Sequence, residues 1–292
     1  MYKSLNEHLR ERFGTKVYKI ALSSGCTCPN RDGTVGVGGC IFCADTGSGD
    51  FAQSAELPIK EQIKLAKEKI SAKNKDGKYI AYFQSFTNTY GSVEFLEPKF
   101  REALADEDVV ALSIATRPDC LPEDILEMLA RLNAIKPVWV ELGLQTIHEE
   151  TAKYIRRGYE LEVYDKAVKD LRAIGVEVIT HVIIGLPGES EEDILATVRY
   201  VVDSKAEGIK LQLLHVIEGT DLAIDYRSGA FNTLEMDEYI RIIRKCVELI
   251  PETMVIHRLT GDGNKKTLLA PLWSGDKKKV LNALNQVLRA EV

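Results

Sequence analysis

Two periods organise the apolar positions of this chain. Near-continuous apolar runs recur at 17–24 (VYKIALSS), 79–85, 109–116, 138–146, 176–186 and 209–217, with a weaker run at 254–259. Each has the length of a strand, and apolar character on both faces is the mark of strands covered on both sides, as in parallel sheets. Between them the period lengthens to that of amphipathic helices, at 56–73, 162–174 and 234–250. A further helix is predicted to open at Pro122, with Glu123 and Asp124 at the positive end of its dipole. Thr146 with Glu149 forms a capping-box pattern, and Ser190 with Asp193 a weaker form of it.

Six or seven strand–helix units without a Gly-x-Gly-x-x-Gly opening predict an α/β fold, a partial (β/α)6-type TIM barrel. The expected organisation is an N-terminal extension over 1–16, the barrel over 17–260 and a basic helical extension over 261–292. In such a barrel the chemistry gathers at the C-terminal ends of the strands. The 292 residues suit one barrel, and 45% apolar with 28% charged residues excludes a disordered or collagenous chain. With no apolar run of membrane-spanning length and no signal-peptide pattern at the N-terminus, the expectation is a cytoplasmic protein with no membrane partner.

Charge refines this picture. The net charge of −6 argues mildly against a nucleic-acid partner. Its distribution argues the other way: residues 1–40 and 260–292 each carry +3, and 41–259 carry 26 basic against 38 acidic side chains.

The segment 25–55 breaks the alternation. It holds seven glycines and four of the six cysteines, Cys26, Cys28, Cys40 and Cys43. A loop this long in a compact domain is usually functional. Thiolates bind zinc or iron–sulfur clusters, and glycines allow the backbone to approach a cluster closely. A four-thiolate zinc site is one reading, although one residue between Cys26 and Cys28 is shorter than the usual zinc spacing. Cys120 and Cys246 read as small buried residues.

Cys28, Cys40 and Cys43, spaced C-x11-C-x2-C after the first strand, resemble the radical S-adenosylmethionine superfamily. The stretched first gap and the segments CPNRDGT and GGCIFC are similar to the small bacterial relatives of the catalytic subunit of Elongator. The resemblance spans residues 17–260. It implies that Cys28, Cys40 and Cys43 hold a 4Fe–4S cluster whose open iron takes S-adenosylmethionine, that Phe42 is the aromatic residue before the last cysteine, and that Cys26 is a bystander.

The resemblance also implies cofactor contacts strand by strand. Gln84, Ser85 and Thr87 stand where a Gly-rich motif meets the cofactor's amino group. Thr116-Arg117-Pro118-Asp119 resembles a TRPD motif whose preceding glutamate is Ala115 here, which shifts the expected ribose contact to Glu141. ELGLQT resembles the family's ELGVQS and makes Gln145 a cofactor contact. Arg157, twelve residues on, matches a carboxylate-gripping arginine, against the alternative that Arg156 and Arg157 form a solvated helix end. HVIIGLPGE places Gly185 and Pro187 beside the adenine. His181 is either a ribose contact or a satisfied core histidine. Arg117, His215 and Arg258 are the candidates for substrate contact.

The chemistry implied is reductive cleavage of S-adenosylmethionine and hydrogen abstraction from a substrate, with a reductase such as flavodoxin or ferredoxin as electron donor. The substrate expected is tRNA, through the side chain of its wobble uridine. One fitting task is conversion of 5-carboxymethylaminomethyluridine to 5-aminomethyluridine, with Arg117 or Arg258 holding the carboxylate. The 32 residues after position 260 leave no room for the acetyltransferase domain of Elongator's catalytic subunit, so acetyl transfer is not expected. A radical enzyme acting on a metabolite or a protein side chain, and a zinc-stabilised barrel that binds without catalysis, are the alternatives. The basic ends are expected to flank the active-site mouth, through Lys265, Lys266 and Lys277–Lys279.

Overall fold

The computed structural model describes residues 2–47, 49, 52–71, 77–261 and 263–289. In chain order its elements are β1 (Lys3–Ser4), α1 (Leu5–Phe13), β2 (Val17–Leu22), α2 (Ile59–Ile70), β3 (Lys78–Phe83), α3 (Val93–Ala105), β4 (Val109–Thr116) and α4 (Glu123–Asn133). They continue with β5 (Val138–Gln145), α5 (Glu149–Tyr154), α6 (Leu161–Ala173), β6 (Glu177–Ile184), α7 (Glu191–Asp203), β7 (Gly208–Leu213) and β8 (Val216–Ile217). The last are α8 (Asp221–Arg227), α9 (Met236–Leu249), β9 (Val255–Arg258), β10 (Leu268–Ala270) and α10 (Lys277–Arg289).

Eight parallel strands form one sheet in the order β1-β9-β7-β6-β5-β4-β3-β2, and β8 pairs antiparallel with β10. Six β/α units, β2 to β7, curl into an open barrel that β9 and β1 extend. This is the partial α/β barrel that the alternating pattern predicts. Its main core lies between strands and helices, where Phe83 and Phe100 meet edge to face at 4.9 Å. Burial on this scale, at about 25 cal/mol per Å² of apolar surface, is what holds the sheet and its helices together.

The differences from the sequence pattern have local causes. Helix α1 has no long apolar run, and its signal is a capping box: Glu7 N donates to Ser4 Oγ at 3.3 Å and Ser4 N to Glu7 Oε2 at 3.0 Å. Leu9 of α1 packs under the barrel against Val17, Ile80, Ala111, Trp139 and Ile179. Pro122 is the N-cap of α4, not its first helical residue. The predicted box at Thr146 does not form. Its hydroxyl donates to Glu189 Oε1 at 2.5 Å, and α5 starts after His148. The Ser190–Asp193 box does form. The run 209–217 is two strands, because Val216–Ile217 leaves the barrel to pair with β10. Helix α2 covers most of the run 56–73, of which residues 72 and 73 lie outside the described residues. Among the described residues no helix is long and apolar enough to cross a membrane.

Candidate active site

Strands of a barrel send alternate side chains inward. In β5 the outward Val138, Val140, Leu142 and Leu144 pack on helices, whereas Glu141, Gly143 and Gln145 line an interior cavity. The interior is layered. At the bottom is the apolar layer closed by Leu9. Above it Lys19, Tyr82, Ser113, Glu141, His181 and Lys210 form a polar layer joined by hydrogen bonds. Higher still, small residues such as Ala115 and Gly143 leave a cavity of about 280 Å³.

The cysteine loop forms one wall of this cavity, contributing Cys28, Cys40, Phe42 and Cys43. The loop is pinned from several sides. Asn30 Nδ2 donates to Arg156 O at 2.6 Å and approaches Cys40 Sγ at 3.4 Å. Arg31 Nη2 donates to Cys43 O at 3.0 Å and Ala44 O at 2.7 Å. Gly39, at φ 88°, gives the Arg31 side chain its room, since a Cβ there would sit 2.9 Å from Arg31 Nε. Phe86 N donates to Gly47 O and Thr87 N to Thr27 O, so the segment after β3 holds the loop by its main chain.

Burial, then the neighbouring Cys43, pushes the Cys40 thiol up to about 11, against the Asn30 amide and the Arg117 guanidinium. A thiolate here thus needs a compensating positive charge, which metal provides. Cys26 faces elsewhere: it is buried in the main core beside Gly91. Among the described residues no three His, Cys, Asp or Glu side chains converge on a single-ion site. Cys28, Cys40 and Cys43 share a wall of the cavity, whereas Cys26 is buried in the core, so the four-thiolate zinc arrangement is not assembled.

The other expected contacts fall into two groups. Gln84, Thr87, Arg117, Glu141, Gln145, Arg157, His181, His215 and Arg258 line the cavity with the three thiols. Gln145 adopts φ 70° and Phe86, also in the lining, φ 60°; such strain in a residue with a side chain costs of order 1–3 kcal/mol and gathers at functional sites. Ser85, Gly185 and Pro187 are outside the lining. Ser85 is buried against Gly49, and Gly185 turns the chain at φ 90° against Leu234.

Two arginines of the lining are already engaged. Arg117 grips Asp119 with both arms, at 2.9 and 2.6 Å, and donates to Arg157 O at 2.8 Å. This makes it a brace beside Cys28 and Cys40, with its charge already paired to Asp119. Arg157, 2% exposed, donates to Tyr159 O through Nε and Nη2 and to Thr146 O through Nη1. It is no solvated helix end. Its nitrogens tie the segment before α5 to the turn after it, so a cofactor carboxylate would share them.

Glu141 is not a ribose contact in this arrangement. At 1% exposed it accepts from Lys19 Nζ at 2.5 Å, Ser113 Oγ at 2.7 Å and His181 Nε2 at 2.8 Å, and it pairs with the Lys210 ammonium. Burial opposes its charge, but Lys19, Lys210 and His181 outweigh that and hold its carboxyl well below the usual range. Burial and then Lys210 draw His181 down to about 4. Burial draws Lys210 down to about 7 against the pull of Glu141.

Comparison with known proteins supplies the deciding observation. Residues 25–201 match the Radical SAM superfamily, and residues 206–290 the Radical_SAM C-terminal domain. The chain belongs to the radical SAM superfamily. It is 48% identical to protein YtqA of Bacillus subtilis over 98% of this chain and 89% of that one. It is 31% identical to a tRNA uridine(34) acetyltransferase of Methanocaldococcus jannaschii over 54% of this chain and 29% of that one. The fold matches an archaeal Elp3 from Methanocaldococcus infernus with TM-score 0.67 at 21% identity, over 90% of this chain and 63% of that one. As a radical SAM enzyme it uses a 4Fe–4S cluster and S-adenosylmethionine.

Several residues of the site carry no motif. Lys19, Tyr82, Lys210 and Gln212 are polar positions inside apolar strand runs, which is the one signal that marks them. The fully buried Asn88, which accepts from Ser24 Oγ at 2.6 Å and donates to Phe83 O and Ala115 O, lies in a loop that periodicity does not read, and Asn30, though inside CPNRDGT, was given no role of its own. The basic ends separate. Gly263 lines the cavity, so Lys265 and Lys266 follow its rim, and both are exposed. Lys277 borders a second cleft with Tyr2, Ser4 and Leu5, at the sheet edge, and among the described residues only Arg258 borders both clefts.

Proposed function

We propose that this radical SAM enzyme modifies the wobble uridine of tRNA, removing the carboxymethyl group of 5-carboxymethylaminomethyluridine to leave 5-aminomethyluridine. The observation that carries this reading is the single cavity running from three thiols on its wall to a cationic layer on its floor. The similarity to a tRNA uridine(34) acetyltransferase supports the choice of tRNA.

In this reading Cys28, Cys40 and Cys43 hold the cluster, and Phe42, Gln84, Thr87, Gln145, Arg157 and His181 surround S-adenosylmethionine. When bound, that pair would supply a one-electron reductant and a hydrogen-atom acceptor; the carboxymethyl carbon would give up one hydrogen atom and one further electron, returned to the oxidised cluster, and water adding to the resulting C=N would release the group as glyoxylate and leave the amine. The chain's own residues do the rest. Arg117, locked by Asp119, keeps positive charge beside Cys28 and Cys40. The apolar layer over Leu9 closes the barrel from below and excludes water from the reacting centre. The C–H to be attacked lies between a nitrogen and a carboxylate, so the floor has an anion to orient. Electrons come from a reductase of the flavodoxin or ferredoxin type, in the cytoplasm.

The test is anaerobic reconstitution with reductant, S-adenosylmethionine and tRNA carrying the carboxymethylaminomethyl group, followed by nucleoside mass spectrometry. Appearance of the aminomethyl nucleoside together with 5′-deoxyadenosine is expected. Unchanged nucleosides alongside 5′-deoxyadenosine formation would move the substrate to a metabolite or a protein side chain.

A further inference from the structure

The polar layer holds two lysines for one carboxylate. Lys19 and Lys210 both pair with Glu141, and His181 beside them is neutral at pH 7 because burial holds it near 4. Charge of one sign buried in excess is unfavourable unless something compensates it. The two lysines differ in place. Lys19 lies below, its ammonium 4.8 Å from the centroid of the Tyr82 ring and 5.8 Å from that of Trp139. Lys210, 4% exposed, lines the cavity itself, as do Gln212 and Arg258, whose Nη1 donates to Gln212 Oε1 at 3.4 Å.

We propose that Lys210 is the receptor for a carboxylate of the substrate, with Glu141 as the positioning residue that aims it and Arg258 as its neighbour on the floor. This rests on the wobble-uridine reading, whose substrate ends in a carboxylate. The engagement of Arg117 with Asp119 leaves the floor as the place for that group. An incoming carboxylate completes a pairing of two lysines with two anions. It also restores the proton that burial discourages on Lys210, whose ammonium sits near neutrality at about 7. Fixing the carboxylate fixes the adjacent carbon against the cofactor side of the cavity, and so selects which hydrogen is presented.

The test uses the anaerobically reconstituted enzyme and two anticodon stem-loop RNAs, one with the carboxymethylaminomethyl group and one with its carboxamide. Equilibrium binding is read by fluorescence anisotropy, and turnover by mass spectrometry. Wild type should bind the acid about 10- to 100-fold tighter than the amide, as expected for a buried charge-assisted hydrogen bond. Lys210→Met should erase that preference by weakening the acid alone, and Lys210→Arg should restore most of it. Lys210→Met that keeps both the preference and its melting temperature overturns the receptor, whatever the turnover. Preference for the acid without turnover upholds the receptor and overturns the wobble-uridine reaction. An acid that is turned over with no preference upholds the reaction and overturns the receptor, and neither preference nor turnover overturns both.

Discussion

Glu141→Gln is the sharpest probe of the barrel interior. The substitution keeps shape and removes one charge. In the native protein the carboxylate accepts from Lys19, Ser113, His181 and Lys210 at once. A carboxamide presents one oxygen and one donor group, so at least one lysine is left facing an N–H. Breaking a buried ion pair from one side costs about 3–5 kcal/mol, because the partner stays buried and uncompensated. At roughly 2–4 °C per kcal/mol for a chain of this class, the melting temperature should fall by about 6–20 °C. The double variant Glu141→Gln/Lys210→Met removes the stranded ammonium and should recover more than half of the loss, since contacting sites are not additive. Thermal unfolding followed by circular dichroism at pH 7, on protein with equal cluster content, reads both. A single variant within about 1 kcal/mol of wild type, or a double variant no better than the single, would refute the account of the layer as a charge-compensated network.

The same groups set the pH dependence. Between about pH 4 and 6.5 the unfolded chain protonates His181 and the folded chain does not, so stability should fall as pH falls through that window; Glu141, ionised in the fold below the ordinary 4.5, extends the loss to lower pH. Between about pH 7 and 10.5 the unfolded chain keeps a proton at Lys210 that the folded chain has lost, so this lysine alone should raise stability with pH, and Lys210→Met should flatten that limb in denaturant titrations. Alanine at Cys28, Cys40 or Cys43 should each abolish the 4Fe–4S absorbance of reconstituted protein, whereas Cys26→Ala should keep it and cost roughly 1 kcal/mol of core packing; full cluster content in any of the first three would refute the assignment. Neutralising Lys265 and Lys266 together should reduce the slope of log K for tRNA against log salt by about 2, and an unchanged slope would remove this rim from the RNA interface.

The legibility of this chain follows from where its side chains face. The sheet was readable because its strands are buried on both faces: β4 matches its predicted run of 109–116 end to end. Helix α1 was not, because only Leu9 of its nine residues is buried and so leaves no period to detect. The strand 209–217 was overextended because an apolar run looks the same whether its last residues stay in the barrel or turn out to meet β10. Thr146 misled for a different reason. A capping box is a pattern of two residues, and here the hydroxyl found a long-range partner in Glu189, which local sequence does not contain.

The site divides in the same way. Cysteines, Gln145 and the arginines were singled out because motif residues keep their spacing, and they line one cavity, yet spacing said nothing about which donors were already spent. That is why Arg117, read as a substrate contact, lines the cavity already paired with Asp119, and why Arg157 shares its nitrogens with two carbonyls. The polar floor was legible in principle without any motif. Within VYKIAL and GIKLQL, each lysine occupies an inward position, Lys19 between outward Tyr18 and Ile20 and Lys210 between outward Ile209 and Leu211. A lysine at such a position is almost never buried without a partner. Two of them on strands five places apart in the sheet order therefore called for an anion between them, and Glu141, the one acidic residue inside the apolar run of β5, was the residue to look for. Placing Glu141 with the cofactor's ribose asked a fully surrounded carboxylate to reach outward. The lysines' need for charge was the stronger constraint.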